Sequence, residues 1–174
     1  TTEIYTLSLH DALPILQMTQ PGTPNMNCPL EVNGQTIEFC TINTGVPHAV
    51  AWVDDLEKTS VVEMGRAVRF HPKFSPAGTN ANFVKILSPE RLAIRTYERG
   101  VEDETLACGT GCVAAVLLSA LKGLVGSPTR VVTRSGEVLL VHFTQTDQGF
   151  SDVFLEGPVR VIYTGRLGPD VSMK

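Results

Sequence analysis

"YERGVEDETLACGTGCVAAVLLSAL", residues Tyr97–Leu121, places Cys108 on a Gly-Thr-Gly turn and follows it with a run of Val, Ala and Leu. A helix from Thr110 to about Leu121 or Leu124 is apolar nearly all round, which predicts burial on every side rather than against one layer. Gly123, Gly126 and Pro128 close it. Strand-like runs flank this helix on both sides in the chain. The expected fold class is therefore α+β, a mixed or antiparallel β-sheet curled around one central buried helix.

Those runs carry clear turn signals. In "LEVNGQTIEFCTI", Asn33-Gly34 separates two alternating segments, the strongest short hairpin cue. "HAVAWV" reads as a buried strand ending at Asp54-Asp55. Thr59–Phe70, "TSVVEMGRAVRF", brings Val61, Val62, Gly65 and Val68 near one face and predicts a short amphipathic helix ended by His71-Pro72. "ANFVKIL" and "RLAIRTYE" alternate as strands joined by Ser88-Pro89-Glu90. "TRVVT", "EVLLVHFT" and "DVFLEGPVRVIYTG" resume the strand pattern, with turns at Ser135-Gly136 and near Gln148-Gly149.

Bulk properties bound the function. A chain of 174 residues, 43% hydrophobic and 18% charged, has the material of one domain or one lobe of a longer protein. A net charge of −4 advertises no nucleic-acid or anionic-lipid surface. The longest apolar run, Val113–Leu121, falls short of the roughly 20 residues a bilayer requires. Cys28, Cys40, Cys108 and Cys112 form no CxxC pair, and Cys108 and Cys112 lie one helical turn apart with no histidine beside them, so reduced thiols in the cytoplasm are expected rather than disulfides, zinc or another metal. Residues 1–15, "TTEIYTLSLHDALPI", resemble translated adapter sequence and are expected to be a non-native leader, with residues 16–174 as one lobe of a longer chain.

The Cys108 turn has a chemistry of its own. The amides of Gly109, Thr110, Gly111 and Cys112 are expected to point outward at the positive end of the helix dipole, and the glycines let a ligand approach closely. That cradle suits a carboxylate, and the same field is expected to favour thiolate at Cys108. A P-loop is excluded because no Lys and Ser or Thr follow the glycines. Proton transfer beside a carboxylate fits these residues. A hydrolase with Cys108 as nucleophile and His48 as base also stays open.

"ERGVEDETLACGTGCVAAV" closely resembles the carboxyl-terminal active-site motif of the diaminopimelate epimerases. So do "NTGVPHAV" at Asn43–Val50, "HPKFSPAGTNANFV" at His71–Val84 and "LEGPVRVIYTG", in order from about Leu16 to Leu167. The resemblance implies a cofactor-independent epimerase that interconverts LL- and meso-diaminopimelate with two cysteines, on the route to lysine and peptidoglycan. It also implies two similar lobes, each a sheet around a central helix, with the amino-acid substrate between them. Carried over by position, Cys108 is one catalytic cysteine, and Glu98 and His48 tune the thiols. Asn80, Glu98 and Arg99 contact substrate, while Gly109 and Thr110 hold the α-carboxylate. Cys112 is expected to be core.

Two departures stand out. Val46 occupies a position that is asparagine in many members, so a substrate contact is expected either to be lost or to be supplied by Asn43 close by. The second catalytic cysteine belongs to a Cys-Gly-Asn-Gly segment that this sequence lacks, so the missing amino-terminal lobe is the expected partner and the chain alone is expected to be inactive. A homodimer is compatible with the resemblance. The alternatives are a proline or hydroxyproline racemase, the phenazine-pathway isomerase (disfavoured by Cys108, since it uses a carboxylate), and a non-catalytic carboxylate-binding lobe.

Overall fold

In the computed structural model, residues 15–147 and 149–159 are described. The expected leader therefore lies outside them except for Ile15, as do Gln148 of the last hairpin turn and the run beyond Val159. The strands and helices follow in the order β1 (Ile15–Gln17), β2 (Asn25–Val32), β3 (Gln35–Asn43), β4 (Pro47–Trp52), α1 (Val61–Arg69), β5 (Asn80–Ser88), β6 (Arg91–Glu98), β7 (Asp103–Thr105), α2 (Gly109–Leu121), β8 (Thr129–Val132), β9 (Val138–Thr146) and β10 (Gly149–Glu156). A single-turn 3₁₀ segment, Pro72–Phe74, leads from α1 towards β5.

All ten strands join one mixed sheet, ordered β1-β10-β9-β8-β6-β5-β4-β3-β2, with β7 also on β6. The β2–β3 hairpin turns at Asn33 and Gly34 with φ of 52° and 78°, the left-handed pair that a tight two-residue turn requires. Most neighbours are antiparallel. The β4–β5 pair, connected through α1, and the β6–β8 pair, connected through α2, are parallel, because a crossover helix returns the chain to the same end of the sheet.

Side-chain alternation sends these two crossovers to opposite faces. Phe39, Ala49, Ala51, Ala81, Phe83 and Tyr97 pack with Val61 and Val68 of α1. The intervening residues Cys40, Ile42, Val50, Val84, Leu92 and Ile94 pack with α2. Residues 111–120 of α2 are buried without interruption, and the helix meets β3, β4, β5, β6, β8, β9 and β10. Fully burying a Val or Leu contributes about 1.5–3 kcal/mol, so Val113, Val116, Leu117 and Leu118 alone supply a stabilisation comparable with the net stability of a typical domain. The segment after β1 bridges distant strands: the Met18 amide donates to the Val153 carbonyl, the Gln20 side chain to Phe150, and the Gly22 amide to Asn43.

Polar groups inside this packing are matched. Ser119, the one polar side chain in the interior of α2, accepts a 3.0 Å hydrogen bond from the Trp52 indole, and Lys122 at the helix end lies 4.8 Å from that ring's centre. Among the described residues no helix is long and apolar enough to cross a membrane.

Gly65 marks the closest approach of α1 to the sheet. A Cβ there would lie 2.3 Å from Tyr97 Cβ and 2.8 Å from its Cγ. In an open helix Gly→Ala gains up to about 1 kcal/mol, but overpacking costs about 1–3 kcal/mol, and at 2.3 Å the clash decides the sign. Gly65→Ala is expected to lower the urea midpoint by the equivalent of at least 1 kcal/mol, whereas Gly126→Ala, where the added atom meets nothing within 4 Å, shifts it negligibly.

Candidate functional site

The α2-facing stripes of β4, β5 and β6 change from apolar to polar at the end where α2 begins. His48 stands in register with Asn80, and Asn82 with Thr96. Val50, Val84 and Ile94 on the same stripes belong to the core. The polar ends gather around the first turn of α2, where a helix leaves amide groups without intrahelical partners.

Cys108 is the residue that precedes the first turn, with an extended backbone (φ −133°, ψ 105°), and it is 8% exposed. Its Sγ lies 3.6 Å from Thr110 Oγ1. Thr110 Oγ1 is 3.0 Å from His48 Nε2, and His48 Nδ1 is 3.1 Å from Asn82 Nδ2. Asn82 Nδ2 also donates to the Ala49 carbonyl at 3.0 Å, while Thr96 Oγ1 donates to Asn82 Oδ1 at 2.9 Å. The Thr44 hydroxyl donates to the Thr110 carbonyl at 2.9 Å. Gly111 is fixed by this crowding, since a Cβ there would come within 2.6 Å of Asn82 Oδ1 and 3.3 Å of Cys108 Sγ.

The electrostatics correct two expectations. The Cys108 thiol is pushed above its ordinary range, not below it: desolvation by burial is the largest cause, and the nearby Glu98 carboxylate adds to it. The Thr110 hydroxyl and the Gly111 amide pull the other way without prevailing. A helix terminus supplies at most about 2 kcal/mol, less than burying an anion costs. The Cys112 amide is also not among the outward donors, because it closes the first turn on the Cys108 carbonyl at 2.9 Å. Cys112 itself is fully buried in the core around α2, and burial raises its thiol strongly.

His48 is 1% exposed. Burial lowers its pKa from 6.5 to about 4, and the Arg99 charge adds to that, so the ring is neutral near pH 7. Glu98 sits beside the Cys108 thiol and accepts a 2.9 Å hydrogen bond from Thr105. Cys108, Thr110, His48 and Glu98 are therefore brought together, with Gly109 opening the helix. Asn80 is buried as a brace, donating to the Pro47 carbonyl at 3.0 Å and accepting from the Arg99 amide at 2.8 Å. The Arg99 guanidinium donates to the Ala77 carbonyl at 3.3 Å. Asn43 turns onto its own loop, accepting from the Gly45 amide at 2.9 Å, and is exposed at the end of β3.

Sequence reasoning missed Asn82, Thr96 and Thr44. The available signal was polar residues at i and i+2 in the otherwise apolar "NANFVKIL", which in a strand share a face. The surface hollows lined by Trp52, Lys85 and Leu124 and by Gln20, Asp147 and Phe150 share no residue with this cluster.

Residues 40–162 match the diaminopimelate epimerase family. The chain is 49% identical over 157 residues to the diaminopimelate epimerase of Aquifex aeolicus, covering 90% of this chain and 55% of that protein. It is 47% identical over 127 residues to that of Chlorobaculum tepidum, covering 72% and 48%. The chain thus spans about half the length of the curated relatives it matches. A hydroxyproline epimerase from Agrobacterium vitis, solved with bound trans-4-hydroxy-L-proline, shares the fold over 87% of this chain and 52% of its own, with a TM-score of 0.67 at 18% identity.

Because folded His48 holds its proton less tightly than the unfolded chain does, the unfolded state takes up the extra proton as pH falls below 6.5. The stability that neutral His48 contributes is therefore complete above that pH and lost on the way down to about 4. Denaturant unfolding is expected to show a loss of about 2 kcal/mol from this group between pH 7 and pH 5. His48→Gln should remove that part of the pH dependence; an unchanged profile in the variant would assign the loss to other groups.

Proposed function

This chain belongs to the diaminopimelate epimerase family, and from that premise we propose that it is the Cys108-bearing half of an enzyme that interconverts LL- and meso-diaminopimelate. The single observation that carries this reading is the convergence of Thr110 and Glu98 on the Cys108 sulfur at the mouth of α2. The relatives matched at 47–49% identity carry that name, which favours diaminopimelate over the prolines. In this reading the sheet wraps α2 as the central helix of one lobe, and a second lobe brings the other cysteine to the opposite side of the substrate.

The chemistry follows from the groups at hand. The α-carboxylate of the substrate lies against the Gly109–Thr110 turn, where free amides and the helix dipole favour an anion. Glu98 takes the Cys108 proton as general base. The thiolate removes the α-hydrogen, breaking C–H and forming S–H, while the thiol on the opposite face delivers its proton and forms the new C–H bond. Charge on the α-carbon is never left without an adjacent acid. Two sulfurs account for both protons, so the reading requires no cofactor. Arg99 holds the substrate's second amino-acid end with its planar donors, Asn80 keeps Arg99 in place, and Asn43 stands at the rim near Val46. Thiols kept reduced suit the cytoplasm.

Co-expression with the amino-terminal half of the Aquifex aeolicus relative is expected to restore epimerisation and solvent deuterium incorporation at the α-carbon. Cys108→Ala should reduce both by at least the roughly 10²–10⁴-fold that a positioned acid–base group contributes. Full turnover by the variant, or by the 174-residue chain alone, would contradict the reading.

A further inference from the structure

Asn82 touches neither Cys108 nor any atom of the proposed reaction, yet every polar contact it makes has a fixed direction. Its Nδ2 must donate to the Ala49 carbonyl, which can only accept, and its Oδ1 accepts from Thr96. The amide therefore cannot be turned over. With its orientation fixed, the remaining Nδ2 hydrogen faces His48 Nδ1 at 3.1 Å, so that nitrogen is the acceptor and the ring proton belongs on Nε2. Nε2–H then donates to Thr110 Oγ1 at 3.0 Å. Once its oxygen has accepted from His48, the one hydrogen of the Thr110 hydroxyl is free to point at Cys108 Sγ, 3.6 Å away. Asn82 is 0% exposed, so water does not compete for its donors.

We infer that Asn82 is a positioning residue whose fixed amide holds neutral His48 in its Nε2–H form, and that this makes the Thr110 hydroxyl a donor directed at the Cys108 sulfur. The opposite tautomer would demand a proton from Thr110 and turn its hydroxyl away from sulfur, leaving the Gly111 amide as the neutral donor to the thiolate. The charged and titratable groups around that sulfur are Glu98 from β6, Arg99 just beyond it, His48 from β4 and Cys112 along α2. Replacing Asn82 or Thr110 removes none of these groups, and of them only His48 loses a hydrogen bond. The inference rests on the two-cysteine reading for its catalytic meaning only, since its test needs neither substrate nor turnover.

The test uses the 174-residue chain, with long-range ¹H–¹⁵N correlation for the His48 tautomer and iodoacetamide labelling of Cys108 across pH for thiol reactivity. The wild-type ring is expected in the neutral Nε2–H form at pH 7. Thr110→Val should slow labelling of Cys108 at pH 7.5 about tenfold and move its midpoint up by about one pH unit, the effect of a lost hydrogen bond to a charged acceptor. Thr110→Ser should restore the wild-type profile. Asn82→Leu should give a mixture of tautomers and a Cys108 profile displaced towards that of Thr110→Val, and the double variant should be no slower than Thr110→Val alone. An Nδ1–H or doubly protonated wild-type ring overturns the inference. So does a folded Asn82→Leu with an unchanged profile, or additive effects in the double variant. Should Asn82→Leu fail to fold, the wild-type tautomer and the Thr110 pair still decide. A failure here leaves proton transfer by Cys108 standing, whereas an inactive reconstituted enzyme leaves the tautomer result untouched.

Discussion

Enclosing a helix on all sides creates a conflict at its ends, and α2 shows how the conflict is met. Its body is apolar apart from Ser119, so burial among seven strands is strongly favourable. Its first turn carries amides that no residue of the helix can satisfy, and sealing those in an apolar shell would cost more than the neighbouring side chains contribute. Three of the facing strands turn polar at that end. His48, Asn82 and Thr96 stand where β4, β5 and β6 pass the N-terminus, while the same stripes are Val50, Val84 and Ile94 further along. That polar end of the core is where the proposed reaction places its carboxylate and its sulfur.

That setting explains why the Cys108 thiol is raised. Depth favours the neutral form, and the helix end, the Thr110 hydroxyl and the Gly111 amide recover only part of the difference. A resting thiol suits the proposed reaction, in which the group alternates between acid and base. In that reaction its proton passes to Glu98, which already stands beside it. A permanently ionised sulfur at the same site would serve only one direction of an epimerisation.

Much of the fold was legible in local patterns. Asn33-Gly34 announced its hairpin, the Val-Ala-Leu run announced α2, and Val61, Gly65 and Val68 announced α1 with its buried face. Local patterns could not show that α1 and α2 cover opposite faces, because that follows from which strands they connect. Nor could they show β7, whose three residues are strand only by virtue of pairing with β6. At the candidate site, the sequence names Cys108, His48, Thr110 and Glu98, and the fold places these four side chains near one another. The direction of the Cys108 shift was read wrongly because a dipole is visible in a motif and desolvation is not. Asn82 was passed over for a related reason: its part depends on atoms from three strands.

Asn80 and Asn82 then show how the sheet, rather than its loops, sets the geometry. They share a strand face two residues apart, and each spans from β4 to the end of β6. Asn80 links the Pro47 carbonyl to the Arg99 amide, and Asn82 links the Ala49 carbonyl and His48 to Thr96. Two rigid amides thus tie three adjacent strands at the level from which His48, Glu98 and Arg99 project. A site braced by strands is held more closely than one carried on loops. The proposed transfer of a proton to one face of a carbon demands that tolerance, because a sulfur displaced by about an ångström loses much of what orientation contributes.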